Sequence, residues 1–394
     1  MRAFGPAPGR RRASHLRGSV KPGVAVVSGS ATLRLPPARI AGSAVGGEHV
    51  SNVSLLGPAV IGVAIAARAI AKRGPSTAKA TGRGPRPVPV NPSYGDPELA
   101  ALRNAVSSAD WPAAEAILRP CRDRGDHQRL TWLITGVEDL GGDFLLRLPE
   151  QRPDDALALT VSGARHVAWA WEARTGARAS KVSQDMFRTF HERLRSAETH
   201  LYAAIEADPE SATPWCLLTT TSRGLEHGHD VTRRRFEAGV RRAPHHLGLH
   251  SSMLQQICAK WSGSHEQMHA FARRSLEQAP PGSALGALTA TAHLEHWLDL
   301  PKGEDAAYMR SGGVLAGLKE AAAASVLHPA YAPTDSPYSA LNSFAMAFWL
   351  AGDRGTARDL FRRIGDHPTN LPWAYAGNAG RVFATARQEC KKRK

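Results

Sequence analysis

Apolar residues recur three and four positions apart along most of the chain after residue 96, and proline interrupts them at regular places. Asp208-Pro209, Ala243-Pro244 and Ala279-Pro280 each close an apolar segment of helical period, and the three prolines stand 35 and then 36 residues apart. Proline cannot continue the preceding helix, so each one fixes where one helical hairpin ends and the next begins. A repeat of this length holding two helices predicts an all-α chain, an α-solenoid of antiparallel helix pairs. Asp96-Pro97 supplies an N-cap and a first-turn proline for a helix to about Ala109, partnered by Trp111–Cys121. A third helix spans His127–Leu140 and stops at Gly141-Gly142. Long helical patterns cover Asp155–Arg174 and Ser183–Ala207. Pairs follow at 213–224 with 230–242, 247–260 with 265–278, 284–299 with 304–327, and 337–351 with 355–364. Gly312-Gly313 should bend or split the 304–327 segment, and Pro372–Cys390 closes the array as a capping helix.

Individual positions carry a family pattern. Ala197, Leu201, Ala204 and Pro209 show the small–large–small–Pro spacing of the second helix of a repeat, and Phe236 and Gly239 precede Pro244 at the same offsets. Trp215, Leu218 and the small Thr219 fall where the following first helix places Trp, Leu and a small residue. On these residues the region 96–390 resembles the tetratricopeptide-repeat superfamily. It departs from that pattern where Ser222 and Ile257 replace Tyr, and the unit ending at Pro280 is one residue out of register. Lys260–Met268 and Gly365-Asp366 also resemble a family of actinobacterial repeat proteins, a likeness that implies no activity. The tetratricopeptide resemblance implies that the first helix of each pair lines a peptide groove. Cys216, Thr220 and Arg223 would line it in one unit, Ser251, Gln255 and Cys258 in the next, then Gly286, Ala290 and His293. Of these, Thr220, Arg223, Ser251, Gln255 and His293 are the candidate peptide-binding residues.

The first 93 residues are a different material. Residues 1–52 are rich in Gly, Pro, Ser and Arg without periodicity, and cannot bury enough apolar surface to become ordered; translation could equally begin at Val53. Val53–Ala71 is the one stretch apolar enough for a membrane anchor within 53–72, just long enough at 1.5 Å per residue. Lys72, Arg73, Lys79, Arg83 and Arg86 follow it, and the positive-inside rule then puts residues 94–394 in the cytoplasm, tethered to an inner membrane. The same stretch also reads as an Ala-rich disordered segment or as a signal cleaved after Ala71. Residues 73–93 form a proline-rich linker.

Charge narrows the partner. The chain carries a net +15, yet residues 1–93 hold 14 basic residues against one acidic, leaving 36 against 34 for the rest. A nearly neutral helical region argues against nucleic acid and favours a protein or peptide. Cys121, Cys216, Cys258 and Cys390 stand far apart with no C-x-x-C, as structural thiols of a reducing compartment do.

His265-Glu266-Gln267-Met268-His269 is an H-E-x-x-H pattern, the arrangement by which two histidines on one helix face hold zinc while Glu activates water. Glu295 is the candidate third ligand. Against this, Ser264 and Gln267 form a capping box that places His265 in the first turn of a repeat helix. Surface histidines are the favoured reading, with no metal and no cofactor, and a zinc hydrolase using His265, Glu266, His269 and Glu295 is the alternative. The Arg233–Arg235 run is expected on a solvated helix face.

Overall fold

The computed structural model describes residues 84–174, 184–333, 335–336 and 338–391. Residues 1–83 lie outside that range, and with them Val53–Ala71; among the described residues no helix is long and apolar enough to cross a membrane.

Every regular element among the described residues is helical. In chain order the helices are α1 Pro97–Ser107, α2 Trp111–Asp123, α3 His127–Thr135, α4 Gly142–Gln151, α5 Ala156–Arg174, α6 Gln184–Ala207, α7 Thr213–Gly224 and α8 Gly228–Arg242. Then come α9 Leu247–Gln256, α10 His265–Glu277, α11 Ala287–Asp299, α12 Glu304–Met309, α13 Gly312–Ala324, α14 Ser339–Ala351, α15 Arg354–Ile364 and α16 Ala379–Lys391. Short 3₁₀ turns at Ala284–Gly286 and Trp373–Ala376 precede α11 and α16.

Local chemistry sets the boundaries. Asp96 caps α1 by accepting from the Glu98 and Leu99 N–H groups, Asp110 and Asp126 do the same for α2 and α3, and Ser264 caps α10 through Gln267. Pro209, Pro244 and Pro280 fall two or three residues beyond the ends of α6, α8 and α10. The 304–327 segment divides into α12 and α13, with Ser311 capping the second piece.

Several boundaries differ from expectation: the terminal helix expected from Pro372 begins only at Ala379, after the 3₁₀ turn Trp373–Ala376. α3 ends at Thr135, and the turn after it leads into α4, a helix the sequence hides behind the internal Pro149. α9 ends at Gln256 because Ile257–Gly263 folds back tightly. A Cβ on Gly263 would stand 2.0 Å from the Ile257 carbonyl oxygen. The expected linker is also shorter, since Val88 is buried against Phe383 and its neighbours, and its N–H donates to the Gly380 carbonyl at 3.2 Å.

Successive helices pack as neighbours: α1 on α2, α5 on α6, α7 on α8, α10 on α11, α14 on α15. Alternate helices α3, α5, α7, α9, α11 and α14 also touch one another in order, forming a continuous row, and α3 reaches past α5 to α7 and α9. The apolar core is divided accordingly. One large cluster around Phe344, Phe348, Phe361, Trp373 and Phe383 gathers the C-terminal helices, another around Leu99, Leu118, Leu133 and Leu145 gathers the first ones, and smaller clusters lie between. Helices that bury themselves mainly on neighbours produce a string of local cores of this kind.

Candidate functional site

Where the row of alternate helices comes together it encloses a cavity of about 200 Å³. Its wall is drawn from α3 (Thr131, Thr135), α7 (Thr220, Arg223), α9 (Ser251, Gln255), α11 (Thr291, Leu294) and α14 (Ser339, Ser343). Asp335, just before α14, and Tyr375 complete it. Ser251, Asp335, Ser339 and Ser343 keep part of their surface exposed, so the cavity opens to solvent on their side. Small residues and hydroxyls dominate the wall, which is why backbones from five helices approach without filling the space.

Behind the wall lies a hydrogen-bonded network on Glu295. Its carboxylate pairs with the Lys260 ammonium at 2.7 Å and accepts from Gln255 Nε2 at 2.7 Å and from the Tyr375 hydroxyl at 2.7 Å. Burial alone would raise the pKa of Glu295, but Lys260 and these donors hold it below the usual carboxylate range. An ionised carboxylate accepts only, so it fixes the Gln255 amide with its NH₂ toward Glu295. The Gln255 carbonyl oxygen is left buried and without a hydrogen-bond partner.

The other polar groups of the wall differ in availability. His246 is neutral, its pKa pushed down to about 4 by burial. Its Nδ1 accepts from the Leu249 N–H at 3.1 Å, which leaves Nε2 to donate to the Thr131 hydroxyl at 2.9 Å. The Cys216 thiol is pushed up to about 12 by burial and stays protonated. The Arg223 guanidinium lies 5.9 Å and 5.4 Å from the centres of the Trp171 and Trp261 rings and donates to the Ser252 carbonyl at 3.4 Å. Asp335 makes no ion pair among the described residues, and burial of its carboxyl raises its pKa to about 7.

Four of the five candidate peptide-binding residues, Thr220, Arg223, Ser251 and Gln255, therefore stand on one cavity. His293 does not. On α11 the residues that face the cavity are Ala287, Thr291 and Leu294, each one position beyond the expected Gly286, Ala290 and His293. The displacement matches the extra residue in the unit ending at Pro280 and the 3₁₀ turn ahead of α11. Cys258 also falls away, because α9 has ended and its side chain packs with Met268 and Leu288. Asp335 escaped sequence reading altogether, since it sits in an irregular segment between helices with no period to place it.

His293 joins a second cluster formed by α10, α11 and α12. His265 stacks on His296 with ring centres 3.8 Å apart, and His269 Nε2 lies 3.1 Å from His296 Nδ1. The Tyr308 hydroxyl is 2.7 Å from His293 Nδ1 and 3.1 Å from His269 Nε2. One proton arrangement satisfies all three contacts: Tyr308 donates to His293, and His269 Nε2–H is shared between Tyr308 and His296. His269, His293 and His296 are neutral in it. Burial, reinforced by the neighbouring imidazoles, pushes His269 down to about 4 and His293 to about 3, and lowers His296.

The H-E-x-x-H ligand set is not assembled. Glu295 is held by Lys260, Gln255 and Tyr375, and what meets His265 and His269 is His293, His296 and Tyr308. Glu266 sits exposed in the first turn of α10, hydrogen-bonded to Ser264. Among the described residues no group of three or more His, Cys, Asp or Glu side chains is arranged to hold a metal ion. The arginine run is also more than a solvated face. Arg235 is buried and joins α8 to α6 and α7, donating to Glu198 at 2.6 Å, the Leu218 carbonyl at 3.0 Å and the Tyr202 hydroxyl at 2.8 Å. A triplet of arginines gives no hint of which one turns inward; the position of Ala238 and Gly239 on the same face of α8 was the available signal. No protein-family model and no curated protein matches the chain.

Proposed function

We propose that this chain is a tetratricopeptide-like helical-repeat scaffold, without catalytic activity of its own, that binds an extended segment of another protein along the row of alternate helices. The observation that carries the reading is the convergence of Thr220, Arg223, Ser251 and Gln255 on a single solvent-reached cavity walled by α3, α7, α9, α11 and α14. A preformed concave site with a few polar groups among apolar and hydroxyl surface is the form that ligand pockets take. The near neutrality of residues 94–394 favours a peptide over a polyanion. Binding of full-length protein to an array of unstructured peptides tests this. Ser251→Trp, at a half-exposed wall position, should abolish capture while leaving the melting temperature within a few degrees of the parent; retained capture by a well-folded Ser251→Trp protein would sink the reading.

The location belongs to the same proposal and rests on sequence. Val53–Ala71 with its basic downstream flank would tether the helical region to the cytoplasmic face of a membrane. Full-length protein should sediment with membranes and a chain lacking residues 1–73 should not. A full-length chain that stays in the supernatant without detergent removes the tether.

A further inference from the structure

We infer that residues 84–95 are a clasp holding two walls of the cavity together, α3 on one side and Leu371–Tyr375 on the other, and that the cavity widens to admit a ligand when the clasp lets go. The inference concerns access to the cavity and stands apart from the identity of the ligand.

The two walls come from opposite ends of the chain. Thr131, Trp132 and Thr135 of α3 line the cavity, and so do Leu371, Pro372 and Tyr375. At the α3 side the clasp is tied firmly. Asp96, the residue that follows it, pairs with the Arg129 guanidinium at 2.5 Å and accepts from the Trp132 indole N–H at 3.0 Å. Tyr94 is buried and packs on the Trp132 ring with ring centres 5.7 Å apart.

At the other wall the clasp touches the chain on both sides of Leu371–Tyr375. Gly95 lies so close to His367 that a Cβ on it would stand 2.5 Å from His367 Nδ1. The same ring stacks on Tyr338, just ahead of α14, with ring centres 4.5 Å apart. Beyond the wall segment, Val88 donates its N–H to the Gly380 carbonyl at 3.2 Å, and Val90 packs against both large core clusters. The clasp therefore spans from the N-terminal body to the C-terminal one.

The ties on the two sides are unequal. Those to α3 are a buried ion pair and a charge-assisted hydrogen bond, whereas those to the C-terminal wall are a neutral backbone bond and van der Waals contact at two glycines. The turn between them also carries strain, with Tyr94 at φ 49° directly before Gly95 at φ 77°. Release at His367 and Gly380, with Asp96 still fixed to α3, is then a local opening of the kind that costs far less than unfolding.

Cys216 lines the cavity and reports such an opening. Burial pushes its thiol up to about 12, so labelling waits until water reaches the sulfur. Full-length protein is treated with N-ethylmaleimide, and the labelling rate of each cysteine is read by mass spectrometry. Gly380→Ala adds a methyl that meets the Val88 carbonyl, and His367→Ala removes the ring against Gly95. Each should label Cys216 about fivefold or more faster, the effect of a modest loss of local stability. Cys121 and Cys258, buried in other clusters, should keep their rates, and amide protection in α7 should not fall. Gly355→Ala, exposed on α15 with no atom nearer its Cβ than 3.5 Å, is the control and should leave Cys216 as it is. Faster labelling of Cys390 on α16 with Cys216 unchanged would mean that the strip supports α16 without holding the cavity, and overturns the inference. Cys216 accelerating in step with Cys121 and Cys258 overturns it as well, because the exposure is then global unfolding.

Discussion

Glu295 and Asp335 are carboxylates on two sides of one wall, and their surroundings drive them apart. Lys260, Gln255 and Tyr375 hold Glu295 ionised despite its burial, and Asp335, with no cation of its own, is raised. His269, His293 and His296 are shifted for another reason: burial, reinforced by the neighbouring imidazoles. That shift has a measurable consequence. In the unfolded chain these imidazoles titrate near 6.5, while His269 and His293 in the native protein are pushed down to about 4 and 3. Above 6.5 both states hold neutral rings and the cluster contributes no pH dependence. As pH falls from 6.5 toward 4 the unfolded chain takes up protons that the native cluster refuses, so stability declines; it stops declining once the native rings titrate as well. Urea unfolding of the wild type should therefore weaken across this window, and His293→Gln, which cannot titrate, should weaken less steeply. Parallel declines in the two proteins would show that other groups govern the acid limb.

At the scale of elements, the prolines made the hairpins legible. α6, α8 and α10 end where Pro209, Pro244 and Pro280 require, and capping residues at Asp96 and Ser264 start α1 and α10 as the sequence indicates. α4 was not legible, because a proline inside a short amphipathic stretch reads as a break, yet Pro149 sits in its last turn, where the helix is about to end. The candidate site was legible in proportion to the regularity of its helices. Thr220, Arg223, Ser251 and Gln255 fall on α7 and α9, both helices where the sequence pattern expects them, and all four line the cavity. On α11 a single inserted residue rotates the helix by about 100°, enough to turn His293 away and bring Thr291 in. His265 and His269 were expected as surface histidines, but both are half-buried against His293, His296 and Tyr308, neighbours that were not foreseeable. Glu295, one position before His296, points about 100° around α11 from it, and one-residue offsets of this sort cannot be resolved from spacing across two helices.

On the scale of the whole molecule, chain order and spatial order part company at the ends. Val88 is buried against the C-terminal helices, while Val90 packs against both the first and the last large core cluster. The backbone of Val88 is pressed onto α16 so closely that a Cβ on Gly380 would stand 2.1 Å from its carbonyl oxygen. Where helices rest mainly on their neighbours in sequence, the terminal ones are the least supported. Here residues 84–93 give the last one an extra covering strip, so they are part of the folded body. Proteins beginning at residue 84 and at residue 94 should then differ in stability by more than the ±0.5 kcal/mol typical of exposed changes, with the shorter one melting first. Gly380→Ala in the full chain should also lower the melting temperature, by an amount corresponding to about 1–3 kcal/mol, because the added methyl must push the Val88 segment off α16. Amide exchange locates the effect: in both proteins protection should fall first in α16 and the segment around Trp373, with α5 to α8 unchanged. Equal melting of the two truncations would mean that the strip rests on the body without supporting it.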